Sequence, residues 1–151
     1  MKEVQPIRDT KKIDAMKSIM KGESNYRDLL LFVLGINTGL RISDILALKW
    51  SSFINGGGRL LKAGDQLNVV EIKTKKIKSF MINRSVSEAL KLYHDSLGSP
   101  NPDDPVFSSR KTDDGTLQPI TRIAAWQMLN RYANMVGLND GIGTHTLRKT
   151  F

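Results

Sequence analysis

Apolar residues recur along this chain with two different periods. From Thr10, a residue able to cap a helix, Ile13, Met16, Ile19 and Met20 fall on one face, and Gly22 closes the run. Ser24 reads as the cap of a second helix through Tyr26, Leu29, Leu30, Phe32, Val33 and Ile36. That segment is apolar around most of its circumference, which predicts a central place in the core. Asn37, Thr38 and Gly39 break it, and a short third helix is expected over residues 41–48, with Trp50 ending the unit.

The period then changes. Gly56, Gly57 and Gly58 mark a loop, residues 67–72 are rich in strand formers, and residues 77–82 alternate as a returning strand after the polar turn Thr74-Lys75-Lys76. A further short strand is expected near residues 53–61. Ser85 and Glu88 have capping-box spacing ahead of a helix bearing Leu90, Leu92 and Tyr93. Residues 100–105 read as a loop. Thr121 predicts the cap of a helix from Arg122 to about Val136, stopped by Gly137. Thr144 is placed to cap a last helix starting at His145. The expected class is mainly α with a small antiparallel β-sheet, an α+β domain over residues 10–151 preceded by a linker-like lead-in, residues 1–9.

The chain has 151 residues, enough for one domain with a real core. It carries 23 Lys plus Arg against 15 Asp plus Glu, a formal charge of +8. Such a balance favours a polyanionic partner, because neutralising phosphates releases condensed counterions; a protein that is merely basic has the same balance. There is no cysteine, which excludes disulfides, thiolate catalysis and cysteine-based zinc sites. The longest apolar run, residues 29–36, is too short to span a bilayer, and no secretory pattern opens the chain. A cytoplasmic protein without a membrane partner is expected.

Three clusters carry candidate chemistry. In Thr38-Gly39-Leu40-Arg41-Ile42-Ser43-Asp44, Arg41 follows a glycine break at a helix start, with Asp44 one turn on and able to hold its guanidinium. On its own this is also what a surface ion pair looks like. Lys73, Lys75, Lys76 and Lys78 crowd one turn, which suits either a mobile basic finger or a solubilising hairpin tip. In His145-Thr146-Leu147-Arg148, His145 and Arg148 share a helical face. A fixed positive charge beside the imidazole repels a metal cation, whereas a guanidinium fork and a histidine suit a phosphate. No metal site is expected. Asp103-Asp104 and Asp113-Asp114 lack ligand spacing, His94 reads as structural, and Trp50 and Trp126 read as core residues.

In this order and spacing, the Thr-Gly-Leu-Arg-x-Ser-Asp segment, the turn lysine and the distal His-x-Leu-Arg resemble the catalytic domain of tyrosine recombinases, the phage-integrase family. The resemblance covers nearly the whole chain and implies the DNA breaking–rejoining fold, incomplete at its C-terminal end. It implies that Arg41 and Arg148 clamp a scissile DNA phosphate, that His145 hydrogen-bonds it, and that Lys73 is the general acid, with Lys75 the rival. Asp44 then orients Arg41, although the family more often has Glu there. Lys75, Lys76 and Lys78 are expected to touch DNA. The partner is double-stranded DNA, on which the full-length protein is expected to form a tetramer, with no cofactor. The nucleophilic tyrosine is expected beyond Phe151, since Tyr26 and Tyr93 read as core or helix-face aromatics and Tyr132 precedes His145. A bacterial or phage-encoded source is implied. Two other functions fit the same residues: a non-catalytic DNA-binding module with this basic face, and a helical interaction protein without a nucleic-acid role.

Overall fold

The computed structural model describes residues 10–109 and 115–138. The helices are α1 (Thr10–Gly22), α2 (Tyr26–Thr38), α3 (Ile42–Leu46), α4 (Arg84–Leu97) and α5 (Arg122–Met135). A 3₁₀ turn, Trp50–Phe53, follows α3, and strands β1 (Gln66–Val70) and β2 (Ile77–Met81) precede α4. The described chain is therefore mainly helical with a two-stranded antiparallel sheet.

Helix α2 is the centre. Leu29, Leu30, Leu31, Phe32 and Leu34 have no exposed surface, and the helix packs against α1, α3, α4 and α5. Each such side chain contributes about 1.5–3 kcal/mol on burial, well above any difference in helix propensity. Burial on all sides is why the segment reads as apolar right round. A second aromatic cluster joins Trp50 to Tyr93 at 5.3 Å and to Phe53 at 6.5 Å between ring centroids. His94 lies edge-on to Trp50 at 5.4 Å, a packing role. The loop through residues 100–105 is pinned there by the backbone bonds Trp50 N–H to Asp104 O, 3.1 Å, and Ser51 N–H to Pro102 O, 2.8 Å.

Several helix starts differ from expectation. Ser24 does not cap α2: it takes a left-handed φ of 58°, and Asn25 occupies the cap position. The Asn25 amide instead donates to the Tyr132 hydroxyl at 2.6 Å. Thr10 lies inside α1 rather than ahead of it. Helix α4 starts before Ser85, because the Asn83 side chain accepts the Val86 N–H at 2.9 Å. The carboxamide is free to satisfy that orphan donor since its own NH₂ is tied to Asn37 Oδ1 at 2.7 Å. Ser85 is used elsewhere, accepting from Lys17 at 3.2 Å. Thr121 caps α5 as expected, accepting from Ala124 N–H at 3.0 Å. The strand expected near residues 53–61 reduces to the isolated bridge Ile54–Leu60, because a 3₁₀ turn takes the preceding residues. Trp50 is fully packed, whereas Trp126 is only half-buried.

The hairpin register pairs Gln66 with Met81 and Val70 with Ile77. Leu67, Val69 and Glu71 point inward and are buried, while Gln66, Asn68, Val70 and Ile72 point outward. This alternation brings the 71–76 turn to the N-terminal end of α3.

Candidate functional site

The Arg41 position is built from the end of α2. Thr38 is buried, and its hydroxyl donates to Leu34 O at 2.8 Å while accepting the Leu40 N–H at 3.2 Å. Gly39 then turns the chain at φ 67° and ψ 14°, a left-handed geometry that glycine adopts without a Cβ penalty. Leu40 plugs into the core, 3% exposed. Arg41 emerges extended as the N-cap residue of α3, and its carbonyl accepts the N–H groups of Asp44 and Ile45 at 3.0 and 3.1 Å. Its side chain therefore starts where the helix presents unpaired backbone donors and the positive end of its dipole.

Asp44 faces the hairpin. It is 2% exposed, and its Oδ1 accepts the Ile72 N–H at 2.9 Å. Oδ2 of Asp44 and Nη1 of Arg41 are both buried and have no hydrogen-bond partner among the described residues. Asp44 thus ties α3 to the start of the turn that carries Lys73. An unspent guanidinium donor beside it is a high-energy arrangement without an acceptor.

The turn itself is closed by Glu71, which is 4% exposed. Glu71 N–H donates to Lys76 O, and Lys75 N–H donates to Glu71 O, both at 2.9 Å. The Thr74 hydroxyl donates to Glu71 Oε1 at 2.9 Å and accepts the Lys76 N–H at 3.2 Å. Lys78 reaches Glu71 Oε2 at 3.4 Å. The Thr74 hydrogen bond, then Lys78, with the Arg41 charge adding to it, hold the Glu71 carboxyl below its ordinary value despite its burial. Lys75 takes a left-handed φ of 60°, the strained position of the turn. Lys73, Lys75 and Lys76 are exposed at its tip, and Lys78 lies half-exposed on β2.

The structure therefore brings Arg41, Asp44 and the Lys73 turn together. His145 and Arg148 lie outside the described residues. Glu71 is the residue that sequence reasoning passed over. Its signal was an acidic side chain at an inward strand position, where a charge needs partners.

The chain's three tyrosines sit elsewhere or are engaged. Tyr132 is fully buried, with its hydroxyl between Asn25, which donates to it, and Asp28 Oδ2 at 3.3 Å. Burial pushes its pKa up. That network lies at the N-terminal end of α2, and the 13 residues of the helix separate it from Gly39 by about 20 Å. Tyr93 is buried too and donates to Val106 O at 2.7 Å, and burial raises its pKa as well. Tyr26 is half-buried at the first turn of α2.

Comparison with known proteins gives the same fold. A sequence model of the phage integrase family matches residues 9–151. The chain is 38% identical over 148 residues to the probable integrase/recombinase YoeC of Bacillus subtilis (strain 168), covering 98% of this chain and 72% of that protein. Among solved structures, XerA recombinase superposes with a TM-score of 0.72 at 17% identity, over 99% of this chain and 50% of that one. XerH site-specific recombinase bound to its difH substrate gives a TM-score of 0.67 at 22% identity, over 99% and 42%. The chain thus spans half the XerA chain or less of such full structures. Both likenesses place the helices and hairpin in the architecture of recombinase catalytic domains. With its family match running from the start of α1 to the last residue, this chain belongs to the phage integrase family, the tyrosine recombinases.

Proposed function

We propose that this chain is the catalytic domain, in whole or in part, of a site-specific recombinase that cuts and rejoins double-stranded DNA through a 3′-phosphotyrosyl intermediate. The observation that carries the reading is the buried, unspent Nη1 of Arg41 beside a turn of exposed lysines. A guanidinium held with a free donor at a helix start suits a phosphate oxygen.

In this reading Arg41 and Arg148 hold the non-bridging oxygens of the scissile phosphate, and His145 hydrogen-bonds the same group and assists proton transfer. A tyrosine hydroxyl attacks phosphorus and gives its proton to His145. The bond from phosphorus to the 5′ oxygen breaks, and Lys73 gives that oxygen a proton. A 5′-hydroxyl from the partner strand then attacks the phosphotyrosine and releases the tyrosine. The covalent bond conserves the energy of the phosphodiester, so no nucleotide is consumed. Lys75, Lys76 and Lys78 add phosphate contacts along the DNA. The complete protein works as a tetramer on DNA in the cytoplasm of a bacterium.

The nucleophile is none of Tyr26, Tyr93 and Tyr132, so these 151 residues alone bind DNA without cutting it. The test is a nicked suicide duplex that traps the covalent adduct. The complete protein forms the adduct, and the 151-residue chain does not. Arg41→Ala in the complete protein loses about a hundredfold or more in cleavage, roughly 3–4 kcal/mol of transition-state stabilisation, with most DNA binding retained. Cleavage by Arg41→Ala at the unmodified rate removes Arg41 from the site. Salt-sensitive DNA binding by a complete protein that forms no adduct is the result that favours a non-catalytic DNA-binding module.

A further inference from the structure

Resting on the reading of Lys73 as the general acid, the hairpin geometry assigns one more residue to the reaction. We propose that Glu71 is a positioning residue for Lys73: its buried carboxylate fixes the turn that holds the lysine over Arg41, and without it the proton cannot be delivered on time to the departing 5′ oxygen.

The contacts around the turn carry this. Glu71 is buried at the base of the turn, where its main chain bonds to Lys75 and Lys76 in both directions. Its Oε1 accepts the Thr74 hydroxyl at 2.9 Å, and that hydroxyl in turn accepts the Lys76 N–H at 3.2 Å. Its Oε2 pairs with Lys78 at 3.4 Å, which anchors the turn to β2. Asp44 Oδ1 takes the Ile72 N–H at 2.9 Å, so the residue before Lys73 is fixed to the helix that begins at Arg41. Lys73 itself is exposed, and among the described residues no side-chain hydrogen bond or ion pair holds it. The lysine is located by its neighbours, Ile72 through Asp44 and Thr74 through Glu71. A carboxylate at an inward strand position costs desolvation and belongs in a sheet only where partners use it. Here the partners are Thr74 within the turn and Lys78 on the strand that follows it.

A proton donor misplaced by about 1 Å loses roughly ten- to a hundredfold in rate. The loss should vanish when the leaving group no longer needs a proton. The experiment uses the complete recombinase on two suicide duplexes of its own recombination site. One has an ordinary scissile phosphodiester, and the other has sulfur in place of the bridging 5′ oxygen, so the thiolate leaves unprotonated. Glu71→Ala should cleave the oxygen substrate roughly ten- to a hundredfold more slowly and the sulfur substrate within about threefold of the unmodified protein, with DNA affinity unchanged. Glu71→Gln, whose side-chain oxygen still accepts from Thr74, should stay within about threefold on both. Thr74→Val removes the hydroxyl from the opposite side and should repeat the oxygen-specific loss, which keeps the test alive if Glu71→Ala fails to fold. Lys73→Ala is the control for the underlying reading. If Lys73→Ala is rescued by sulfur while Glu71→Ala and Thr74→Val lose equally on both substrates, or lose nothing, Glu71 does not position the acid. If Lys73→Ala is not rescued, the acid assignment falls first and the positioning role falls with it.

Discussion

Arg41 owes its place to Gly39 more than to any contact of its own. The left-handed φ of 67° at Gly39 reverses the chain between a helix that is buried throughout and a helix of only five residues. Replacing Gly39 by alanine keeps the backbone bond from its N–H to Gly35 O, 3.3 Å, only by straining a Cβ into that region, at about 1 kcal/mol. We expect Gly39→Ala to lower stability to urea by about that amount and to reduce cleavage by the complete protein more than DNA binding, since the guanidinium shifts with the turn. Equal stability and activity in Gly39→Ala would mean that another bend can present Arg41. The glycine and the arginine were legible in the sequence because chain reversal and charge both leave a mark in residue type. The partner of Asp44 was not: spacing pointed it at the Arg41 guanidinium, whereas its Oδ1 takes a backbone N–H 28 residues away. A main-chain donor has no signature in the sequence, so no spacing rule could have named Ile72.

At the scale of elements, helices were easier to read than their ends. The apolar face of α2 and the Thr121 cap of α5 came from pattern alone, since burial and one orphan N–H decide them locally. The start of α4 did not, because Asn83 and Ser85 both have capping side chains and the choice rests on Asn37 and Lys17, which belong to other helices. The hairpin shows the same limit. Alternation gave its two strands, but not the carboxylate that closes its turn. Two carboxylates of this unit, Glu71 and Asp65, are held below their ordinary values, Glu71 first by the Thr74 hydroxyl and Asp65 first by the Lys62 N–H. A depressed folded-state value means that the contribution is complete above the unfolded-state titration and is lost as pH falls through the folded one. The ordinary Glu value is 4.5. Amide-exchange protection of Lys75 and Lys76, after correction for intrinsic rates, should therefore be flat from about pH 8 to about pH 5 and fall only below it. A loss of protection already near neutral pH would show that a different group holds the turn.

Over the molecule as described, three acids are withdrawn into the interior while the lysines of the 71–76 turn face out. Asp28, Asp44 and Glu71 are the buried acids among the described residues, and Asp65 is committed to Arg59 and the Lys62 N–H. Lys73, Lys75 and Lys76 are exposed on one turn beside Arg41. The potential around that end therefore exceeds what a formal charge of +8 spread evenly would give. None of the described helices is long and apolar enough to cross a membrane. Counterion release makes DNA affinity fall linearly with the logarithm of salt, by about 0.9 in slope for each phosphate neutralised. Five contacts, from Arg41, Arg148, Lys75, Lys76 and Lys78, predict roughly five-hundredfold weaker binding of duplex DNA between about 50 and about 200 mM salt. Removing Lys75 and Lys76 together should reduce the slope by about two while weakening all duplex sequences alike, because phosphate contacts carry no base information. Fluorescence anisotropy of a labelled duplex against salt measures both. A flat titration, or a slope untouched by the double substitution, would move the DNA away from the hairpin and leave Arg41 without the phosphate its free donor calls for.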